Sequence, residues 1–356
     1  MNHLNIYGWN DKLNQLKQES IHKDLPHGRI AVVHRTCYEL ISEIGLLQCE
    51  LTGNMMYGKS DFELPCVGDW VIFQSFDESK GIIVDMLSRE RTLYRKKSGT
   101  VADKQTIASY VDKAFIVQSL DDNFNPRRAE RFMVQILEEN IKPILVLNKA
   151  DIAFDKQEVE EQVKHLARQT PVFFTSIHQP ETILRLRESI SKGDTAVFVG
   201  SSGVGKSSLV NALCEKSVLL TSDISISTGK GRHTSTRREM VLIDGSGILI
   251  DTPGVREFGL ALDDADSLAE MLDISDYAES CRFKDCEHTS EPGCAVLEAV
   301  DSGALDHKVY ESYLKLRREA WHFSASEHEK RKKEKSLSRL IEEVKTVKSK
   351  SGSKNY

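Results

Sequence analysis

Residues Val197-Phe198-Val199-Gly200-Ser201-Ser202-Gly203-Val204-Gly205-Lys206-Ser207-Ser208 run from an apolar strand through a Gly-x-x-x-x-Gly-Lys-Ser turn into a helix. Leu209, Val210 and Leu213 recur at helical spacing after it. Such a segment demands a parallel strand on one side and a helix N-terminus on the other. Between them, backbone N–H groups of a glycine-rich turn and the positive end of the helix make a cradle for anionic oxygens. Lys206 is placed to reach outer phosphates, and Ser207 offers a hydroxyl to Mg²⁺. The segment lies well past the chain's midpoint, so much of the chain precedes it.

At 356 residues the chain calls for two or three domains rather than one core. Ile141 to Leu147 is among the longest apolar runs, yet Lys142 and Pro143 interrupt it and it falls far short of a membrane span. No basic, apolar, small-residue leader opens the chain, and the expectation is a cytoplasmic protein that uses no membrane. Cys37, Cys49, Cys66 and Cys214 are scattered, whereas Cys281, Cys286 and Cys294 cluster, which suits reduced thiols and one metal site. The net charge of −6 conceals an asymmetry: from Glu327 onward ten Lys/Arg stand against five Asp/Glu, leaving the preceding body about eleven charges negative. A basic tail on an acidic body fits local attachment to a polyanion.

Up to about Leu25, Leu and Ile occur at mixed spacings compatible with a helix, to which no function is assigned. Short β-type runs follow at Arg29 to His34, Tyr38 to Ser42, Leu46 to Leu51, Asp69 to Gln74 and Gly81 to Leu87. Turn signals such as Thr52-Gly53-Asn54 separate them. Five such strands predict a small barrel of the oligonucleotide-binding type, a fold that often holds RNA through basic and aromatic groups. Arg89, Arg91, Arg95, Lys96 and Lys97 favour RNA over the alternative, a barrel used only for protein docking.

From about Gln105 strands and helices alternate, which predicts a parallel α/β sheet. Ala114 to Ser119 reads as a strand, Asn125-Pro126 as a helix start, and Ala129, Phe132, Met133, Ile136 and Leu137 as the apolar stripe of that helix. The strand Pro143 to Leu147 ends in Asn148-Lys149-Ala150-Asp151. An aspartate carboxylate can accept from both the ring N–H and the exocyclic amino group of guanine, a donor pair that adenine lacks. Asn148 can supply an amide, and the Lys149 stem can cover the ring. After the strand Pro171 to Phe174, Thr175-Ser176 occupies the place of a backbone contact to the base oxygen.

Beyond the phosphate turn, the polar segment Thr228 to Thr236 leads to strands at Met240 to Ile243 and Gly247 to Ile250, the second ending in Asp251-Thr252-Pro253-Gly254. Asp251 is placed to hold Mg²⁺ through water, and Gly254 to offer its N–H to a γ-phosphate. Thr234 is the first choice for a further metal ligand, with Ser235 and Thr236 as open alternatives. These elements form a complete guanine-nucleotide set in circularly permuted order, which a sheet tolerates when its original termini were close. Further on, Cys281, Cys286, His288 and Cys294 offer three thiolates and one imidazole, a closed tetrahedral set for one structural Zn²⁺. Helical patterns resume at Ala295 to Val300 and Lys308 to Trp321. The tail places Leu337, Leu340, Ile341, Val344 and Val347 beneath a lysine-rich face, as an arm or as a helix that folds on RNA.

With these motifs the chain resembles the circularly permuted RsgA (YjeQ/YloQ) GTPases over roughly Gly28 to Trp321. Gly231-Arg232-His233-Thr234 and the Cys/Cys/His/Cys knuckle strengthen the likeness. The organisation expected is an extension at 1–27, an oligonucleotide-binding barrel at 28–97, a permuted GTPase domain at 98–262, a helical zinc domain at 263–325 and a basic tail at 326–356. The resemblance implies GTP turned over to GDP, slowly alone and faster on the small (30S) ribosomal subunit, with the barrel on 16S rRNA. It also implies a role in late subunit maturation, release of the protein and of other assembly factors, and action as a monomer. Ser235 interrupts the threonines that the family usually carries after the histidine.

Ras-type enzymes orient water with a glutamine just after Asp-x-x-Gly. Here Val255 stands there and cannot hydrogen-bond. His233, able to accept or donate near neutral pH, is the candidate to place the water, and the resemblance points to the same residue. Two other readings are an RNA clamp whose nucleotide state only tunes affinity, and a P-loop metabolite kinase, which would leave the guanine tetrad and the cysteine cluster without a role.

Overall fold

Short strands rich in buried apolar residues build the first part of the chain into a closed barrel. The computed structural model describes residues 3–35, 37–57, 60, 62–96, 104–214, 218–219, 238–251, 269, 272 and 274–324. A 3-10 turn, His3–Tyr7, precedes helix α1 (Asp11–Glu19), which Asn10 caps by accepting from the Leu13 N–H at 3.0 Å. Strands β1 (His27–Val33), β2 (Tyr38–Ser42) and β3 (Gly45–Leu51) are followed by the short helix α2 (Gly53–Met56), then β4 (Trp70–Ser75) and β5 (Lys80–Met86). They pair in the ring β1-β2-β3-β5-β4-β1, with β3 and β5 parallel. This is the predicted five-stranded barrel, each strand within two residues of its sequence estimate. Ile30, Leu40, Leu47, Val71, Phe73 and Ile83 fill its interior.

In the basic stretch after the barrel, read from sequence as favouring RNA, Arg89, Arg91 and Arg95 have partners within the chain. Arg89 turns inward onto the fully buried Asp69, donating from Nε to Oδ1 at 2.9 Å and from Nη2 to Oδ2 at 2.7 Å. Its other donors take the carbonyls of Phe62 and Leu64. Arg91 lies 3.3 Å from Asp112, and Arg95 donates to Gln105 at 3.1 Å within a hairpin of β6 (Leu93–Lys96) and β7 (Lys104–Ala108). Lys97 lies outside the described residues.

The alternating segment continues through β8 (Lys113–Ser119), α3 (Pro126–Glu138), β9 (Lys142–Asn148), α4 (Lys156–Gln162), α5 (Lys164–Ala167), β10 (Val172–Thr175), α6 (Pro180–Glu188), β11 (Thr195–Val199) and α7 (Lys206–Cys214). Strands β12 (Val218–Leu219), β13 (Glu239–Leu242) and β14 (Ile248–Asp251) complete it. The order is β10-β9-β8-β11-β14-β13, parallel from β10 to β14. The sheet is mixed rather than parallel throughout, because a turn closed by the Ile243 N–H on the Gly247 carbonyl (2.9 Å) joins β13 to β14 and so short a link permits only antiparallel pairing. Asn125 caps α3 as predicted; Ala129, Phe132, Met133 and Ile136 are buried, but Leu137 at the end of the stripe is 38 % exposed. On one face of the sheet Phe115, Val117, Val146 and Phe198 pack with Ile183 and Leu186 of α6 and Leu209, Val210 and Leu213 of α7. One residue pairing, Val32 with Glu239, joins β1 of the barrel to β13, so barrel and nucleotide sheet share one ladder.

Contact density separates Met1–Leu260 from a second unit, Ala261–Tyr356. That unit contains α8 (Ser275–Ala278), α9 (Ala295–Asp301) and α10 (His307–Ser324), around Ile274, Val296, Tyr313 and Leu316. Among the described residues no helix is long and apolar enough to cross a membrane. The expected tail segment lies outside the described residues.

Replacing Asp69 by Ala strands the Arg89 guanidinium without its counter-charge, and breaking a buried pair in this way costs about 3–5 kcal/mol. Urea unfolding of the full chain should show the first transition at clearly lower urea in Asp69→Ala; an unmoved midpoint would mean that the pair does not stabilise the barrel.

Candidate functional site

Parallel strands end their hydrogen-bond ladder together, so the residues just past their carboxyl ends meet on one edge of the sheet. The ends of β9 and β10 are in register, Asn148 opposite Thr175, and β8 places Ser119 opposite Asn148. The phosphate turn leaves β11 on the other side of β8. Segments 148–151, 175–176 and 200–207 thus converge, although their order along the chain gives no hint of which ends will be neighbours.

The turn's carbonyls are held from outside by three side chains. Asn148, itself buried, donates from Nδ2 to the Val204 carbonyl at 2.8 Å and accepts from the Thr175 hydroxyl at 3.1 Å. Lys149 donates to the Gly203 carbonyl at 2.9 Å, and Asn123 to the Ser202 carbonyl at 3.1 Å. With successive carbonyls drawn one way, the opposed N–H groups are free to converge on an anion. Two glycines make the approach possible. A Cβ on Gly200 would lie 2.5 Å from the Val117 carbonyl, and one on Gly205 would lie 2.3 Å from Asn148 Nδ2; both have positive φ. Lys206 donates to the Gly200 and Ser201 carbonyls at 2.7 Å each, which keeps its ammonium over the turn. Val199 ends β11, Lys206 opens α7, and Ser207 and Ser208 occupy its first turn.

The Asn148-Lys149-Ala150-Asp151 tetrad is shaped by the same contacts. Lys149 has φ +63, a left-handed conformation that costs a side chain of this type about 1 kcal/mol or more and that bonds at both ends sustain. The Ala150 N–H donates to the Thr175 carbonyl at 3.0 Å, and the Ser176 hydroxyl donates to the Asp151 carboxylate at 2.5 Å. That hydroxyl bond holds the exposed Asp151 below the usual carboxylate range, so it is ionised, and acceptor-only, at neutral pH. An ionised carboxylate held at a strand end is the group that a guanine edge requires.

Three participants escaped the sequence reading. Asp121 accepts from the Lys149 ammonium at 2.6 Å and from the Ser119 hydroxyl at 2.6 Å, and the lysine bond foremost brings its carboxyl down to about 2. Asn123 holds Ser202, and Arg128, in the first turn of α3, donates to Ser201 Oγ at 2.7 Å and Asn123 Oδ1 at 3.0 Å. Their signal was position: an Asp and Asn cluster just past a strand that precedes the phosphate turn by eighty residues and adjoins it only in the sheet. Asp251 ends β14, one residue beyond the pairing of Ile250 with Val197, and so flanks the strand that carries the turn. His233, Thr234 and Gly254 lie outside the described residues, as do Ser235, Thr236 and Val255.

In the second unit Cys281, Cys286, His288 and Cys294 bring their donor atoms within 4.8 Å of one another. Tetrahedral zinc with its usual bond lengths requires sulfur–sulfur edges of about 3.8 Å and sulfur–nitrogen edges of about 3.6 Å. The Cys281 and Cys294 sulfurs are 3.9 Å apart, and each lies 3.5 Å from His288 Nδ1. His288 adopts φ +56, and its carbonyl accepts from the Tyr310 hydroxyl at 2.6 Å, anchoring the ring's backbone to α10. Burial opposes ionisation of Cys281, but hydrogen bonds from the amides of Val296 and Ala295 and from the neighbouring Cys294 and Cys286 thiols together hold the thiol below its ordinary value. Three thiols and an imidazole so spaced could hold a metal ion.

Fold and site together define a P-loop GTPase whose sheet is entered in circularly permuted order. A family model described as RsgA GTPase matches residues 86–261. The small ribosomal subunit biogenesis GTPase RsgA 1 of Bacteroides thetaiotaomicron is 75% identical over 344 residues, covering 97% of both chains. RsgA 2 of Listeria monocytogenes is 36% identical, covering 90% of each. Among solved structures, YjeQ from Thermotoga maritima aligns with TM-score 0.61 at 25% identity, covering 83% of this chain and 98% of that one. YloQ, a circularly permuted GTPase, aligns at 0.60 and 26%, covering 85% and 97%. The chain belongs to the RsgA family of small ribosomal subunit biogenesis GTPases.

Asn148→Ala should release the Val204 carbonyl and weaken GDP binding about tenfold, the worth of one buried hydrogen bond; calorimetry showing unchanged affinity would refute the bracing role. Cys286→Ser should lower the zinc content of purified protein well below one ion per chain and increase proteolysis of the second unit; full zinc occupancy would contradict the ligand set.

Proposed function

We propose that the chain binds the 30S subunit through 16S rRNA, assists its late maturation, and hydrolyses GTP in a subunit-stimulated manner to drive its own release and that of assembly factors. The observation that carries this reading is the bracing of one phosphate turn by the guanine tetrad: Asn148 and Lys149 hold the carbonyls of Val204 and Gly203, so base and phosphates are read by a single unit. The identity of its relatives supports the ribosomal partner. Asp151, with Asn148, Lys149 and Ala150, selects guanine, with Thr175-Ser176 at the base oxygen. The residues Gly200 to Ser208 cradle the phosphates after Val199. Ser207, Thr234 and Asp251 are assigned to Mg²⁺, which when bound neutralises charge on the β- and γ-oxygens.

In the step itself a water oxygen attacks the γ-phosphorus in line, the bond from that phosphorus to the β–γ bridging oxygen breaks, and GDP leaves with the water's proton carried on phosphate. His233 is assigned to orient that water, since Val255 cannot, and the Gly254 N–H to meet the γ-phosphate. Cys281, Cys286, His288 and Cys294 are assigned to one structural Zn²⁺ with no position left for water. The protein is taken to act as a monomer in the cytoplasm.

The test is GTP turnover with and without purified small subunits. Wild type should be strongly stimulated, and His233→Ala should bind GTP normally but lose most of the stimulation, on the order of a hundredfold for a positioned general acid–base group. Equal turnover with and without subunits would sink the reading in favour of an RNA clamp, and equal stimulation of His233→Ala would remove that residue from the step.

A further inference from the structure

Opposite the nucleotide edge, at the amino ends of β8 and β11, a cavity of about 140 Å³ lies between the N-terminal segment, the barrel and the nucleotide sheet. A cavity of this size has room for a small organic molecule rather than one water. Its wall contains Arg29, 1 % exposed, whose guanidinium donates to the carbonyls of Gly68 (3.0 Å), Tyr7 (2.5 Å) and Tyr110 (3.4 Å) and lies 5.5 Å from the Trp70 ring centre. Carbonyls satisfy donors but do not neutralise charge, and Arg29 makes no ion pair among the described residues. The other charges in the wall pair among themselves: Lys12 with Glu90 at 2.5 Å, and Arg91 with Asp112 at 3.3 Å. The cavity therefore holds three cations against two carboxylates, an excess of one positive charge. Burial draws the Arg29 guanidinium down to about 10, although the nearby carboxylates of Asp112 and Asp69 act in the opposite direction.

Two further polar atoms in the same wall lack partners among the described residues. Thr195 Oγ1, on a side chain 1 % exposed, and Arg91 Nε are both buried without a hydrogen bond among the described residues. Orphaned buried polar atoms are uncommon and call for a partner. A buried guanidinium with no ion pair among the described residues, a hydroxyl and an N–H without hydrogen bonds among those residues, all around one cavity, ask for an acceptor-only, singly charged group. Asp112 and Glu90 in the wall repel a second negative charge, which disfavours a phosphate dianion. Trp70 and Leu13 supply an apolar surface for a short hydrocarbon tail.

We propose that this cavity binds a small aliphatic monocarboxylate, its carboxylate facing Arg29 and the Thr195 hydroxyl and its tail against Trp70 and Leu13. The occupant would touch both the barrel and the strand that leads into the phosphate turn, at the end remote from the nucleotide.

The test is tryptophan fluorescence of the full chain, with GDP and Mg²⁺ saturating the nucleotide site, titrated with propionate against chloride at constant ionic strength. Propionate should give a saturable change with a dissociation constant of roughly millimolar order, as suits a ligand of this size. Propionamide, of the same shape without the charge, should give none. Thr195→Val, which keeps the shape and removes the hydroxyl, should weaken propionate about tenfold without altering GDP binding. A response no larger than that of chloride, an equal response to propionamide, or undiminished affinity in Thr195→Val would overturn the proposal.

Discussion

Three carbonyls of a glycine-rich turn, those of Ser202, Gly203 and Val204, are held by the side chains of Asn123, Lys149 and Asn148. Every other feature of the nucleotide edge depends on that bracing. It draws successive carbonyls away from one side of the turn, so its N–H groups present a preformed anion site. It also fixes two residues of the Asn148-Lys149-Ala150-Asp151 tetrad, because Asn148 and Lys149 cannot move without releasing the turn. Asp121 and Ser176 extend the network outward, to Lys149 and Asp151 respectively.

The barrel is tied to this edge by backbone as well as by side chains. Strand β13 pairs with β14, which carries Asp251, with β12, and through Val32 and Glu239 with β1 of the barrel. Beside that junction Arg238 donates to the Thr106 carbonyl at 2.7 Å. The chain's order lays β13 against the barrel through the pairing of Val32 with Glu239. The cysteine cluster stands on its own contacts, with Tyr310 holding the His288 carbonyl.

Sequence alone determined the elements whose information is local. Short β-type runs between turn signals specified all five barrel strands, a capping Asn125 followed by proline specified the start of α3, and the Gly-Lys-Ser turn and the Asn-Lys-x-Asp tetrad announced their chemistry by residue type. Ligand spacing named the four donors that lie within 4.8 Å of one another. What only the tertiary structure decided was adjacency. Arg89 read as one member of a basic run, and only the barrel's closure shows it bound to the buried Asp69. Asp121, Asn123 and Arg128 look like ordinary turn and helix residues until β8 is laid beside β11. Thr195 and Arg29 likewise share a wall only because the barrel, the N-terminal segment and the sheet meet there. The physical reason is common to all: propensity and spacing act over a few residues along the chain, whereas a hydrogen bond or an ion pair between distant segments exists only after burial has brought them together, and its sign and strength are set by the desolvation that burial imposes.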